Sequence, residues 1–348
     1  MDALAQSLAH TPELFPHTLD LRTDSVGFIR LREGDFRAAS FLDERILAAE
    51  TFRRAIPWDE LDRAVASSSL AERCNFIFHI GHAGSTLLSR LIGGQPDVLA
   101  LREPSILRTL VQIRGEPGFE PQIWGGERFE KRLSTLLKLW SRTFHQGDLA
   151  VLKASSFVSE MASDLMRRPN QPRSILMTVS PESYLATILG GANAPQETKA
   201  LGPMRLKRLR DRLGDGIGEL AALSMGETVA MSWACEMTAL CNAKAAAEDR
   251  AMLLNFDAFL LQPHALLARC FDHLGLAATA ADVQAALSGP DMRRYSKAPE
   301  YAYDANLRRD VLNQARAISG DEIRRGLSWL DHLALKHPAV ATAITLST

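Results

Sequence analysis

The sequence predicts an α/β fold: a central, mostly parallel sheet of five strands with helices on both faces, a small α+β unit before it and a helical tail after it. Three observations predict it. Five short apolar runs, "NFIFHI", "DVLAL", "LAVLK", "RSILMTV" and "AMLLNF", alternate with helical segments. The runs are apolar nearly throughout, as in strands covered on both faces. The first run leads straight into a turn of glycines and hydroxyls, "GHAGST". That is the end of a strand where parallel sheets bind ligands.

The unit at 1–72 is expected to hold a strand, "SVGFIRL", a helix over "FRAASFLDERILAAE", and a second helix, "IPWDELDRAVASSS", opened by Pro57 and closed by serines. The core at 73–276 starts at Cys74. "STLLSRLI" puts Leu87, Leu88, Leu91 and Ile92 on one helical face before Gly93 and Gly94. "PSILRTLVQIR" is the next helix. "RFEKRLSTLLKLWSRTFH" is a longer one, with Phe129, Leu133, Leu136, Leu137, Trp140 and Phe144 inward. "PESYLATIL" begins a helix with proline in its first turn, and "PHALLARCFDHLGL" one that stops at Gly275. Residues 190–226 are glycine-rich and carry "MRLKRLRDRL", an amphipathic surface helix or a lid over a phosphorylated or acidic ligand. The extension at 277–348 has a basic patch, "DMRRYSK", then helical sequence.

Composition bounds the function. The 348 residues are 46% hydrophobic and 23% charged, the balance of a globular chain with room for a large core. Forty basic residues against 41 acidic give a net charge of −1, so any anion site must be local and no nucleic-acid partner is expected. The four cysteines form no C-x-x-C pair, which suits a reduced, cytoplasmic protein. The first residues have no basic-then-apolar leader, and no apolar run reaches the ~18 residues of a membrane span.

"GHAGST" has the makings of a phosphate cradle. Backbone N–H groups opening a helix are unpaired and carry the positive end of its dipole. Gly81 and Gly84 allow a tight turn and close approach, and Ser85 and Thr86 add hydroxyls. The alternative is a plain strand-to-helix turn capped by Ser85. A nucleoside-triphosphate loop of the form G-x-x-x-x-G-K-[ST] is not present: Ser85 stands in place of the lysine, and Gly81 is too close to Gly84. His79 and His82 lack a third ligand candidate, so no metal is expected.

The stretch "GHAGSTLLSRLIGGQPDVLALREPSILRTL" resembles the sulfotransferases that use PAPS, 3′-phosphoadenosine-5′-phosphosulfate, most closely the bacterial and tyrosylprotein-type branch. The resemblance implies a P-loop sulfotransferase-like fold and PAPS as donor. It implies that Gly81, His82, Ala83, Gly84, Ser85, Thr86 and Leu87 hold the 5′-phosphosulfate, with His82 where the family carries Lys or Arg. A charged His82 would make product-nucleotide affinity weaken between about pH 6 and pH 8. Glu103 stands at the general-base position and Lys153 at that of a lysine against the transferring group. Without the resemblance, Glu103 reads equally as a first-turn acid, and Lys153 as a strand-end lysine reaching solvent.

The family's 3′-phosphate signature is incomplete here. Anchored on Pro181, its arginine position is Val179 and its serine position Thr187. Ser180 or Ser183 could donate instead, and Arg173, Arg293, Arg294 or Lys297 could supply charge. Asp257 is a weak match to a magnesium-binding aspartate, and Tyr184 and Trp233 read as packing residues. The expected reaction is sulfuryl transfer to a small-molecule or peptide acceptor bearing a hydroxyl or amine. The alternatives are a non-catalytic nucleotide- or partner-binding module and a kinase-like phosphotransferase.

Overall fold

A computed structural model of the chain describes residues 7–8, 11–115, 123–214, 216–298 and 300–348. Its center is a five-stranded parallel sheet of β4 (Asn75–His79), β5 (Val98–Arg102), β6 (Leu149–Lys153), β7 (Ser174–Thr178) and β8 (Ala251–Asn255), in the order β5-β6-β4-β7-β8. Each expected apolar run supplies one strand. Every residue of β4, β5 and β7 is buried, which is why the runs show no polar alternation. The chain leaves β4 toward β5 on one side and reaches β7 on the other, so the β4 loop stands where the strand order reverses. In an open parallel sheet that crevice is the ligand side.

The N-terminal unit departs from expectation. It is a three-stranded antiparallel sheet, β1 (Leu14–Asp20), β2 (Ser25–Arg30) and β3 (Arg53–Pro57). Only β2 lies in the predicted strand. The helix expected over "FRAASFLDERILAAE" does not form: a helix at Glu33–Ala38 overlaps only its first three residues, and a single 3-10 turn at Glu44–Ile46 follows. Arg102, at the end of β5 and 2% exposed, takes the carbonyls of Phe36 and Ala39 with its Nη1 at 2.9 and 2.8 Å. The chain then turns to donate Leu42 N–H to the Arg102 carbonyl at 2.7 Å. These tertiary hydrogen bonds replace the next helical turn. The second predicted helix is present as Trp58–Ala66.

Helices Ser85–Gly93, Ser105–Arg114, Pro181–Leu189 and Pro263–Leu274 lie where the sequence places them. Gly126–Trp140 ends before Phe144, because Ser141 Oγ bonds back to the Leu137 carbonyl and accepts the N–H groups of Arg73 and Cys74 at the start of β4. Helix Met225–Ala247 is absent from the sequence expectations. It is buried continuously from Thr228 to Leu240, so it carries no apolar stripe for periodicity to find. It is started by a capping box, Ser224 with Glu227. The tail helix Ala305–Lys336 crosses it at two glycines: a Cβ on Gly226 would collide with the Glu322 carbonyl, and one on Gly326 with the Gly226 backbone.

The basic cluster of 204–213 is not an amphipathic surface face. Within helix Ala194–Leu213, Arg205 and Arg208 are 8% and 6% exposed. Arg205 pairs with Glu236 at 2.5 Å and Arg212 with Glu160 at 2.6 Å. Carboxylates on neighboring elements, Glu236 buried and Glu160 half-buried, are invisible to a local charge pattern and turn Arg205 and Arg212 inward.

Candidate active site

The loop after β4 is built as a cradle. Gly84 is the N-cap of Ser85–Gly93 with φ +68°, and the Phe256 ring fills the space its Cβ would need. Only glycine meets both constraints. The amides of Ser85, Thr86 and Leu87 precede the first intrahelical bond, Leu88 N–H to Gly84 carbonyl at 3.1 Å, so they point out of the helix end. His79, His82, Ala83, Gly84, Ser85, Thr86 and Leu87 line one cavity of about 150 Å³, together with Thr187, Phe256 and the tail residues Arg294, Lys297 and Arg308.

Lys153 closes β6 and is fully buried, so it does not reach solvent. Its ammonium donates to Thr86 Oγ1 at 3.2 Å and forms an ion pair with Glu103 Oε1. Glu103 follows β5 with φ +55°, a left-handed conformation that is uncommon outside glycine. Its N–H is anchored on the Lys153 carbonyl at 2.7 Å. Burial pushes the Glu103 carboxyl up, but the Lys153 charge, with the Lys153 hydrogen bond and the more distant Lys297, outweighs it and holds the group below its ordinary value. Burial pushes the Lys153 ammonium down, and Glu103 opposes that. The pair is ionic, and Glu103 is not a solvated first-turn acid.

His82 does not supply the loop's cation. It also has positive φ, +60°. Burial, reinforced by the charges of Lys297, Arg205 and Arg308, pushes it down to about 4, so it is neutral at pH 7. The nearby positive charge comes from those three residues. Lys297 and Arg308 belong to the tail, and Arg308 is held against Asp257 at 2.8 Å and over the Phe256 ring. Asp257 is therefore occupied by an arginine.

The other sequence candidates are spread. Thr187 borders the loop cavity, with its hydroxyl donated to the Ser183 carbonyl. Ser180 caps helix Pro181–Leu189 by accepting Ser183 N–H. Val179 is buried, and its carbonyl accepts Trp233 Nε1–H at 3.1 Å. Arg294 lines the loop cavity; Arg293 is exposed and borders neither cavity described here. Arg173 donates to the carbonyls of Asp272 and His273.

Two residues at the loop escaped the sequence analysis. Glu236 Oε2 accepts Gly81 N–H at 2.6 Å while Arg205 holds Oε1. Phe256 packs on Gly84. The only sequence signal for either is adjacency: Phe256 ends the fifth apolar run, and Glu236 is an acid inside an otherwise apolar segment. Beyond the loop lies a second cavity of about 310 Å³, reached from His79, His82 and Lys297, which border both. Glu103, Phe41, Arg108, Phe157 and Tyr184 are among its walls. The site is thus two chambers meeting at the loop. One has helix-terminal amides and tail cations, and the other has Glu103 among several charged side chains of both signs.

No protein-family profile and no curated protein matches the chain. Among solved structures, it is similar to the sulfotransferase domain from the curacin biosynthetic pathway, at 13% identity and a TM-score of 0.42, over 76% of this chain and 99% of that one. Sulfotransferase STF9 from Mycobacterium avium is similar at 12% identity and a TM-score of 0.40, over 91% of this chain and 95% of that one. The sulfotransferase domain of the Synechococcus PCC 7002 olefin synthase gives 13% and 0.39, over 74% and 94%. Among the described residues, no helix is long and apolar enough to cross a membrane.

Proposed function

We propose that the chain is a sulfotransferase that moves a sulfuryl group from PAPS to a hydroxyl or amine acceptor by in-line displacement. One observation carries the reading: a single buried lysine, Lys153, touches Thr86 of the phosphate cradle and Glu103 of the adjoining chamber. A cation between an anion cradle and a carboxylate is what a group transfer needs, because positioning and charge stabilization dominate such chemistry.

The residues present fit the donor. The amides of Ser85, Thr86 and Leu87, with the Thr86 hydroxyl, would hold its phosphosulfate end. Arg294, Lys297 and Arg308 would supply the charge that Val179 and His82 lack. The loop chamber, about 150 Å³, matches a phosphate-sized group. A whole nucleotide requires the tail segment over the loop to give way. When bound, PAPS supplies an activated sulfuryl group. Glu103 takes the proton of the acceptor hydroxyl or amine as the acceptor–sulfur bond forms. Lys153 neutralizes charge on the oxygen that leaves with the phosphate. Turning toward that oxygen, Lys153 also withdraws from Glu103, which raises the basicity of the carboxylate when it is needed.

The second reading, a binding module without turnover, is favored by the two missing cations, Val179 and neutral His82. One variant separates the two. Glu103→Gln should lower the release of adenosine 3′,5′-bisphosphate from PAPS in the presence of acceptors by about 100-fold or more, while bisphosphate binding persists. Unchanged release would remove Glu103 from the mechanism. No release by the unmodified chain, with binding intact, would favor the module.

A further inference from the structure

We propose that the 310 Å³ chamber beside Glu103 takes a small acceptor bearing a negative charge, and that Arg108 reads that charge. The inference rests on reading this chamber as the acceptor side. Its volume lies at the small end of ligand cavities, suited to one ring or a short chain, which narrows the expected acceptor to a small molecule. Its walls are mainly polar and charged, with an apolar part formed by Phe41, Phe157, Ile188, Leu201 and Met204.

Most of its charges are already matched. Glu103 is held by Lys153, Glu236 by Arg205, Glu160 by Arg212, and Arg45 by Asp43. Arg208 stacks on the Phe157 ring at 4.3 Å and donates to the Phe157 carbonyl at 3.4 Å. Among the described residues, Arg108 and Lys297 have no carboxylate within ion-pair distance, against one exposed acid, Glu197, in the same position. Lys297 is shared with the loop chamber, so Arg108 is the unmatched cation that belongs to the acceptor side.

Arg108 is placed for the task. It stands in helix Ser105–Arg114, five residues past Glu103 on the same wall. Its guanidinium lies over the Phe157 ring, 5.6 Å from the centroid, which steadies it and leaves its N–H edge open. Such a fork suits a carboxylate, sulfate or phosphate group. An anion anchored there sets the other end of a short molecule toward Glu103.

The test uses matched pairs: 4-hydroxyphenylacetate against its amide, and 4-hydroxybenzoate against its amide. Each is titrated calorimetrically into the full chain with and without adenosine 3′,5′-bisphosphate. The carboxylates should bind at least 10-fold tighter than the amides. Arg108→Ala should abolish the preference and Arg108→Lys keep part of it; the side chain is exposed, so both variants should fold. Equal binding of acid and amide, no binding of either acid, or a preference that survives Arg108→Ala would overturn the inference. If the bisphosphate does not bind but the carboxylate preference and its loss are seen, the donor reading fails, while the selection of a small anion by Arg108 stands.

Discussion

His79 is 6% exposed, its Nδ1 lies 2.8 Å from the Ile80 carbonyl and therefore carries the proton, and its Nε2 has no partner. Burial, then the Lys153 charge, pushes it down to about 3; His82 is pushed down to about 4. An unfolded histidine titrates near ~6.5. Below that pH the unfolded chain takes up protons that the folded chain refuses. Stability is therefore full above about pH 6.5 and falls as the pH drops toward 4, by roughly 1.4 kcal/mol per pH unit for each histidine. The carboxylates held low, Glu103 among them, lose their contribution only below their ordinary range, so the two effects separate by window. Urea unfolding between pH 6.5 and 4.5 should show this slope, and His79→Gln or His82→Gln should each remove about half of it. An equally steep slope in the double variant would mean that neither histidine is buried neutral. The same desolvation explains a limit of the sequence: the position of His82 in the loop is legible, but its charge depends on Lys297, Arg205 and Arg308, far along the chain. The positions of Lys153 and Glu103 at the ends of β6 and β5 were legible, but their contact with each other was not, because it joins two strands through the fold.

At the scale of elements, the loop is set by what packs on it. A methyl group at Gly84 would meet the Phe256 ring, and alanine would also have to hold φ at +68°. Gly84→Ala should therefore lower unfolding free energy by roughly 2–4 kcal/mol, the sum of a left-handed backbone and a displaced ring. A change under about 1 kcal/mol in denaturant titration would show that the ring yields freely. The core strands were legible because their residues are mostly apolar, fully buried in β4, β5 and β7 and less so in β6 and the edge strand β8. Two other elements were not, for opposite reasons. Helix Met225–Ala247 is buried nearly all round and shows no stripe. Helix Ala194–Leu213 carries a basic cluster, of which Arg205 and Arg212 face inward to pair with Glu236 and Glu160. The antiparallel sheet of the first unit depends on pairings of β2 with both neighbors that no single strand announces.

Across the whole molecule, three parts of the chain meet at one carbonyl. Ser296, in the tail, accepts Arg90 Nε–H from the helix that opens the cradle, at 3.0 Å, and Ser40 Oγ–H from the first unit, at 3.3 Å. Arg90 also reaches Ser40 Oγ at 2.6 Å. This junction sets the next residue, Lys297, where the two chambers meet. A chain with a net charge of −1 thus gathers local positive potential from distant segments, which the proposed anion site requires. The cradle was legible because it is contiguous in sequence, whereas its cations are assembled by tertiary contacts. The central claim is that this assembly holds the phosphates of a sulfuryl donor. The most direct measurement is calorimetric titration with adenosine 3′,5′-bisphosphate, with and without magnesium, beside ATP and AMP. The account predicts that the bisphosphate binds tightest and without need of metal. Preference for ATP with magnesium, or no binding of the bisphosphate, would contradict it.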